Sequence, residues 1–318
     1  MTLLLFLLRR AATLVVVTLV SSFLVFSLME LAPGSPLSFL LGNRSATPEQ
    51  VALVTEQYHL DDPFLVRYGA WLGDVLHGDL GRSIAYKQSV TDLLSTRVTT
   101  TLLLVGYAGI IITIVGVGLG VLAGSRPGRL DAALTALTTG FLAVPAFVSG
   151  VVLIWVFAVQ LGWFPAFGGG HGLLDRLRHL TLPAVALSLA SSAYLARITR
   201  AAVQTQQQAE HVETARSRGL QGGYVMRHHV VRNSLIPITT VLGLTIATLI
   251  AGAVVVESVF ALDGIGSLLV QAILRSDFVV VQAVILVLVV AFVLVNTLVD
   301  IVYTMVDPRI SLTAGTGR

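Results

Sequence analysis

Cysteine is absent from the 318 residues, which excludes disulfides and thiolate metal sites and leaves the redox compartment open. Charge is scarce as well. Only 12% of residues are charged, against about a quarter in soluble domains, while 55% are hydrophobic and mean hydropathy is +0.87. A soluble chain of this length needs a polar surface to cover its core. Here the charges cluster between long apolar runs, the pattern of a surface that meets lipid. Lysine occurs once, at Lys87, behind Tyr86. A phosphate-binding loop needs Gly-Lys-Ser/Thr, so this chain hydrolyses no nucleotide itself. The H-E-x-x-H and G-x-S-x-G signatures of hydrolases are missing too, and no catalytic residue is assigned. His228 and His229 point about 100° apart on a helix, and Glu210, His211 and Glu213 make no recognised ligand spacing. No metal site and no cofactor are expected. The net charge of +3 is small and the basic residues sit in short loops, which leaves a nucleic-acid partner little support.

What the chain has in abundance is long apolar runs. Six segments pass the length test for a spanning helix, near 11–31, 102–124, 134–161, 182–200, 237–260 and 279–303. The first follows Arg9-Arg10 as a cleaved signal would, but it is longer than the roughly 7–15 residues of a signal's apolar region and has no A-x-A site. It is read as an uncleaved span. Ser188, Ser191, Ser192 and Tyr194 dilute the fourth, in the manner of helix–helix interfaces in lipid. Gly116, Gly120 and Gly124, at four-residue spacing in the second, predict a packing face rather than a site. Arg9, Arg10, Arg126, Arg129, the arginines of 197–232, Arg309 and Arg318 all fall on one side. The basic bias of short loops therefore puts both termini in the cytoplasm.

The opposite side carries a long segment, 32–101. Thr47-Pro48-Glu49-Gln50 sets a cap, a proline at the first helical position and a glutamine at the third. Asp62-Pro63 opens a second helix on which Phe64, Tyr68 and Trp71 share a face. Two readings stand: a surface on which a partner docks, with Glu49 and Arg67 among its exposed charges, or a lid over the bundle. Within the spans, Glu257 and Asp300 lie close to opposite ends. A carboxylate at mid-membrane costs about 2.5–3.5 kcal/mol on insertion scales, so one that is kept faces a cavity, a partner or an interface. Pro145 could kink the third span.

The cytoplasmic stretch 201–236 is too long for a turn. It reads as a helix from Ala201 to Ala215, a break at Gly219 and Gly222-Gly223, a helix from Tyr224 to Leu235, and then Pro237. Glu213, Ala215 and Gly219 form E-x-A-x-x-x-G, a short helix of small residues ended by a glycine that lets another surface approach closely.

Glu213-Thr214-Ala215-Arg216-Ser217-Arg218-Gly219-Leu220, followed by Arg227-His228-His229-Val230-Val231-Arg232-Asn233-Ser234-Leu235-Ile236-Pro237, resembles the coupling loop of bacterial binding-protein-dependent ABC permeases. The gap from Gly219 to Pro237 resembles the dipeptide/oligopeptide/nickel branch. So do Leu31-Ala32-Pro33-Gly34-Ser35-Pro36, Thr47-Pro48-Glu49-Gln50, Gly78-Asp79-Leu80-Gly81, Val144-Pro145-Ala146-Phe147, Leu161-Gly162-Trp163-Phe164-Pro165, Glu257-Ser258-Val259-Phe260, Gly264-Ile265-Gly266 and Asp307-Pro308-Arg309. Thr214 departs from the usual alanine, and Asp263 from the usual proline.

The resemblance implies an all-α integral membrane protein with six transmembrane helices in the type I ABC importer fold. Residues 1–94 would form the first span and an extracytoplasmic helical segment, 95–307 the permease domain and 308–318 a cytoplasmic tail. It implies the first of two pore-forming permease subunits of an ATP-driven importer of di- and oligopeptides, moving substrate inward across the bacterial plasma membrane. Its partners would be a second homologous permease, two cytoplasmic ATPases and an extracytoplasmic substrate-binding protein, with lipid around it. Peptide, nickel, haem and glutathione importers share this scaffold. Glu213, Ala215, Arg218, Gly219 and Leu220 become the ATPase-coupling residues, and Glu257 and Pro145 the pore or gate candidates. In the implied mechanism ATPase closure pushes the 201–236 loop, the helices rock, and the pore opens outward to the binding protein. The rival is a proton-coupled secondary transporter with Glu257 as carrier, which would favour inverted repeats and helices broken at mid-membrane.

Overall fold

The computed structural model describes residues 3–31, 47–57 and 60–306. Their regular structure is helical, apart from one isolated extended pairing of Arg82 with Ser89. Among the described residues, four helices are long and apolar enough to cross a membrane. They are α4 (Val90–Ser125), α7 (Gly172–Gln207), α9 (Gly222–Val259) and α11 (Phe278–Val306), the last over Phe278–Val299. Between α4 and α7, α5 (Arg129–Ala143) and α6 (Ala146–Gln160) make a fifth crossing only as a pair, bent by 102°. The first helix, α1 (Leu3–Leu31), carries a shorter apolar stretch, Ala11–Ser27, and a count of six requires it as the sixth. The chain is an all-α, multi-pass membrane protein.

The third span bends at the proline that the sequence marked: Val144 is extended and Pro145, at the start of α6, has no N–H to donate. Two expectations about helix ends need correcting. Helices α4, α7 and α9 begin well before their apolar windows. Pro183 and Pro237 lie inside α7 and α9 and end neither, as proline can in membrane helices whose neighbours satisfy the freed backbone groups.

The described chain forms two compact units, one of Leu102–Leu262 with the chain from Val295, the other of the chain before Leu102 with Asp263–Leu294. In the first, α7 is central and packs on α4, α5, α6 and α9. The Gly116–Gly120–Gly124 face of α4 lies against it. A Cβ at Gly116 would stand 2.9 Å from Leu195 Cβ, one at Gly124 2.9 Å from the Arg200 carbonyl, and one at Gly120 2.6 Å from the Ala196 carbonyl. Close backbone approach is what small residues allow in lipid, and the packing-face reading holds.

In the second unit, α2 (Pro48–Gln57) starts at the expected proline, with the Val51 N–H donating to the Thr47 carbonyl at 3.0 Å. Helix α3 (Phe64–Leu76) begins one residue after Pro63. Its aromatic face is spent on α1. Phe64, Tyr68 and Trp71 meet Phe23 and Phe26 with ring centroids 5.3–5.7 Å apart, and the hydroxyls of Ser22 and Tyr68 share a hydrogen bond of 2.8 Å. Arg67 is not an exposed charge. It is buried, with its guanidinium over the Phe26 ring at 6.0 Å. Glu49 is exposed. Helix α10 (Ile265–Leu274) and the first turns of α11 pack Ile265, Leu268, Ala272, Val280 and Val284 with Val90 and Leu93 of α4. Buried Asp277 then holds the 78–89 loop by accepting from the Ser83 hydroxyl at 2.5 Å and the Ala85 N–H at 3.0 Å.

Candidate functional site

The loop that the sequence singled out is a separate short helix. After α7 the chain turns at Gln208 and Ala209, and α8 runs over Glu210–Ser217, so the helix expected to reach Ala215 ends eight residues earlier, at Gln207. Glu210 and Glu213 sit in its first turn and Arg216 in its last, each sign where the helix dipole favours it. Val212 and Ala215, three residues apart and so on one face, are buried. They join Val203 of α7 with Val225 and Val230 of α9 in one cluster, against Val121 of α4. Ala215 therefore faces inward. Its small size lets α8 lie close on its own scaffold, whereas the sequence reading gave it the job of leaving room for a partner. Glu213, Thr214, Arg216, Ser217 and Arg218 make up the exposed side.

The C-terminus of α8 closes as a Schellman cap. The Gly219 N–H donates to the Arg216 carbonyl at 2.9 Å and the Leu220 N–H to the Ala215 carbonyl at 3.3 Å. Gly219 has φ +79°, the left-handed conformation that this cap requires. Nothing lies within 4 Å of where its Cβ would be, so backbone geometry rather than crowding demands glycine. Past the cap, Leu220 and Tyr224 are exposed, and Tyr224 stacks on His228 at 4.2 Å. Gly222 and Gly223 open α9 rather than interrupt a helix. His211 and His229 meet through Asn233, whose amide lies 3.1 Å from His211 Nε2 and donates to the His229 carbonyl at 2.7 Å.

Two further links, absent from the sequence reading, tie this loop to the bundle. The Gln207 amide donates to the Gly124 carbonyl at 3.1 Å, and the Arg200 guanidinium holds both oxygens of Asp131, with Nη2 at 2.7 Å from Oδ2. In the sequence Arg200 contributes only to the charge bias and Asp131 stands outside every motif. The one available signal was a lone acid beside Arg129 on an arginine-rich side.

The gate candidates lie elsewhere in the same unit. Glu257 is fully buried in the last turn of α9, where its carbonyl accepts from the Leu262 N–H at 2.9 Å. Pro145, exposed, caps α6, and its carbonyl accepts from the Ser149 N–H at 3.1 Å. Helices α6 and α9 touch through Gly150, where a Cβ would stand 3.0 Å from the Phe260 ring. The side chain of Asp300, and the motifs at 32–36 and 307–309, fall outside the described residues.

Residues 116–312 match the family of binding-protein-dependent transport system inner membrane components, and residues 3–105 match its N-terminal family. The chain belongs to this family. It is a transport component and not an enzyme. Relatives of this inner membrane component include a putative peptide transport system permease protein of Brucella abortus, 40% identical over 95% of this chain and 98% of the relative. The oligopeptide transport system permease protein AppB of Bacillus subtilis is 35% identical over 96% and 98%. Among solved structures, a chain of the inward-facing MetNI methionine ABC transporter matches with a TM-score of 0.58 at 21% identity. It covers 67% of this chain and 96% of its own length, and shows the importer transmembrane fold.

Proposed function

We propose that this family member is the pore-forming permease of an ATP-driven importer of di- and oligopeptides. It works with a second permease, two cytoplasmic ATPases and an extracytoplasmic binding protein. The peptide assignment rests on the relatives' names. The coupling assignment rests on one observation: α8 is a capped helix with an exposed charged side, seated on three membrane helices, in a chain without a nucleotide site. A push on α8 passes into α4, α7 and α9 through a packed cluster, and such clusters transmit displacement because they are dense. Glu213, Arg218, Gly219 and Leu220 form the face the ATPase receives, and Ala215 seats it. Residues 1–94, 95–307 and 308–318 retain the roles of first span with outer segment, permease domain and tail.

The test is uptake by the assembled transporter in proteoliposomes. Labelled oligopeptide should enter only with ATP, ATPases and binding protein present, and Glu257→Gln should still transport. Uptake by this chain alone under a proton gradient, abolished by Glu257→Gln, would establish the proton-coupled rival instead.

Orientation has its own check. The arginine bias puts both termini and residues 201–236 in the cytoplasm and residues 32–101 outside. Because the chain has no cysteine, Ser217→Cys places a single reporter on the exposed side of α8. An impermeant maleimide should label it only after the cells are opened; labelling of intact cells would invert the topology.

A further inference from the structure

The aromatic face of α3, the sequence's motive for docking a partner on 47–77, is covered by α1. Another surface of the same unit is open. The 82–89 loop and the end of α10 bring together Arg82, Tyr86, Lys87, Ile273, Leu274 and Arg275. Ile273 is 56% exposed and Leu274 80%, although the rest of α10 faces the core. Beside them the Arg275 guanidinium lies over the Tyr86 ring at 4.7 Å, and the Tyr86 hydroxyl donates to Gln271 Oε1 at 2.8 Å. The surface is rigid. Asp277 pins Ser83 and Ala85, Arg82 pairs with Ser89, and the Arg82 guanidinium donates to the Lys87 carbonyl at 3.4 Å. Lys87, at φ +56°, and Ser276, at φ +55°, are held in a conformation that costs non-glycine residues energy and that persists only where the surroundings impose it.

The surface is also unneutralised. Among the described residues Arg82, Lys87 and Arg275 form no ion pair. The nearby acid Asp79 accepts from the Gly81 N–H at 2.8 Å and forms no ion pair with any of the three. Arginine and tyrosine are residue types enriched at protein-binding hot spots, and here Arg275 over Tyr86 stands on a fixed backbone beside two open aliphatic side chains, with Arg82 and Lys87 on the adjoining loop. The charge selects an acidic partner, and the leucine and isoleucine select one with an apolar recess.

We infer that this surface docks the extracytoplasmic binding protein through an acidic rim set around an apolar recess. The inference rests on the importer reading, with this unit's loops outside. A lipid surface is the other chemistry that would suit cations beside leucines, and the test separates the two.

The probe is the cognate binding protein, purified with its substrate, and the whole transporter is placed in nanodiscs of phosphatidylcholine with or without phosphatidylglycerol. Arg275→Glu and Leu274→Ala should each weaken binding-protein affinity by about tenfold in both lipids. The wild-type affinity should fall as salt rises, and the Arg275→Glu affinity should barely change. Leu274→Cys, carrying benzophenone-maleimide on an exposed position that folding does not use, should crosslink to the binding protein. Undiminished affinity in both variants overturns the inference, as does a benzophenone that reacts only with lipid while the binding protein still binds. A loss confined to phosphatidylglycerol discs assigns the surface to lipid headgroups. Wild-type transporter that binds no binding protein at all would sink the importer reading itself, and the inference with it.

Discussion

Gly219→Val is expected to abolish substrate uptake while leaving the permease inserted and paired with its partner subunit. The position has φ +79°, where an L-residue's Cβ crowds the following carbonyl at a cost of about 1–2 kcal/mol, and a β-branched residue fares worst. Since nothing lies within 4 Å of the new Cβ, the damage is local. The cap that fixes Arg218 and Leu220 must open, and the two hydrogen bonds to Arg216 and Ala215 are lost with it. Those flanking residues are the ones proposed to meet the ATPase, so the ATPase should bind loosely or hydrolyse without transport. Gly223→Val is the control, because Gly223 has ordinary φ and open space around it. Gly219→Asn should restore much of the activity, asparagine being the usual alternative in this cap. Uptake assays with pull-down of the ATPase read all three. Normal uptake by Gly219→Val at normal expression would reduce the loop to a solvated connector.

The second large effect belongs to the fold. Gly120→Leu should all but eliminate correctly folded permease, read as loss of the monodisperse peak in size-exclusion chromatography. Overpacking a well-filled site typically costs about 1–3 kcal/mol. Here the new Cβ would stand 2.6 Å from the Ala196 carbonyl, and Thr199 Cβ is closer still. A backbone oxygen cannot rotate away as a side chain can, so α4 and α7 would have to separate. Gly118→Leu, two residues along and facing open space, should express like wild type. Equal peaks for the two variants would show that α4 and α7 are not held at this face.

Much of this architecture is legible in the residues, and what is not has physical reasons. The apolar centres of the spans are plain because lipid sets their composition. Their ends are not, because helices continue beyond lipid wherever packing supports them. Val90 and Leu93 extend α4 into a polar stretch by joining a core with Leu268 and Val280, partners far away in sequence. Proline at 48 is read correctly, since a first-turn position needs no N–H. Proline at 237 misleads, because the rule that ends helices in water is relaxed in a bundle. Periodicity finds the face made by Phe64, Tyr68 and Trp71 but not what covers it. Arg67, three residues after Phe64 and four before Trp71, belongs to that face by the same spacing, yet its charge argued for exposure. The long stem resolves the conflict, lying with aromatic rings as arginine can. In the 201–236 stretch, the helix end at Gly219 follows from the sequence, while the break that starts α8 at Glu210 does not. Which way Ala215 points does not, since that depends on Val203, Val225 and Val230 on two other helices.

The 102° bend between α5 and α6 has a consequence for where lipid can be. At 1.5 Å per residue each arm is about 22 Å long, short of the roughly 30 Å hydrocarbon layer, so neither arm crosses alone. If the two arms make one crossing together, their junction at Val144 and Pro145 interrupts the hydrogen-bond ladder within that layer. Hydrocarbon offers an interrupted backbone no donors or acceptors, and irregular chain at such depth persists only against protein or beside a water-filled space. With Pro145 exposed in the single chain, a crossing made by this pair would exclude acyl chains from the elbow and leave a gap in the annulus of lipid there, filled by a neighbouring subunit or by water.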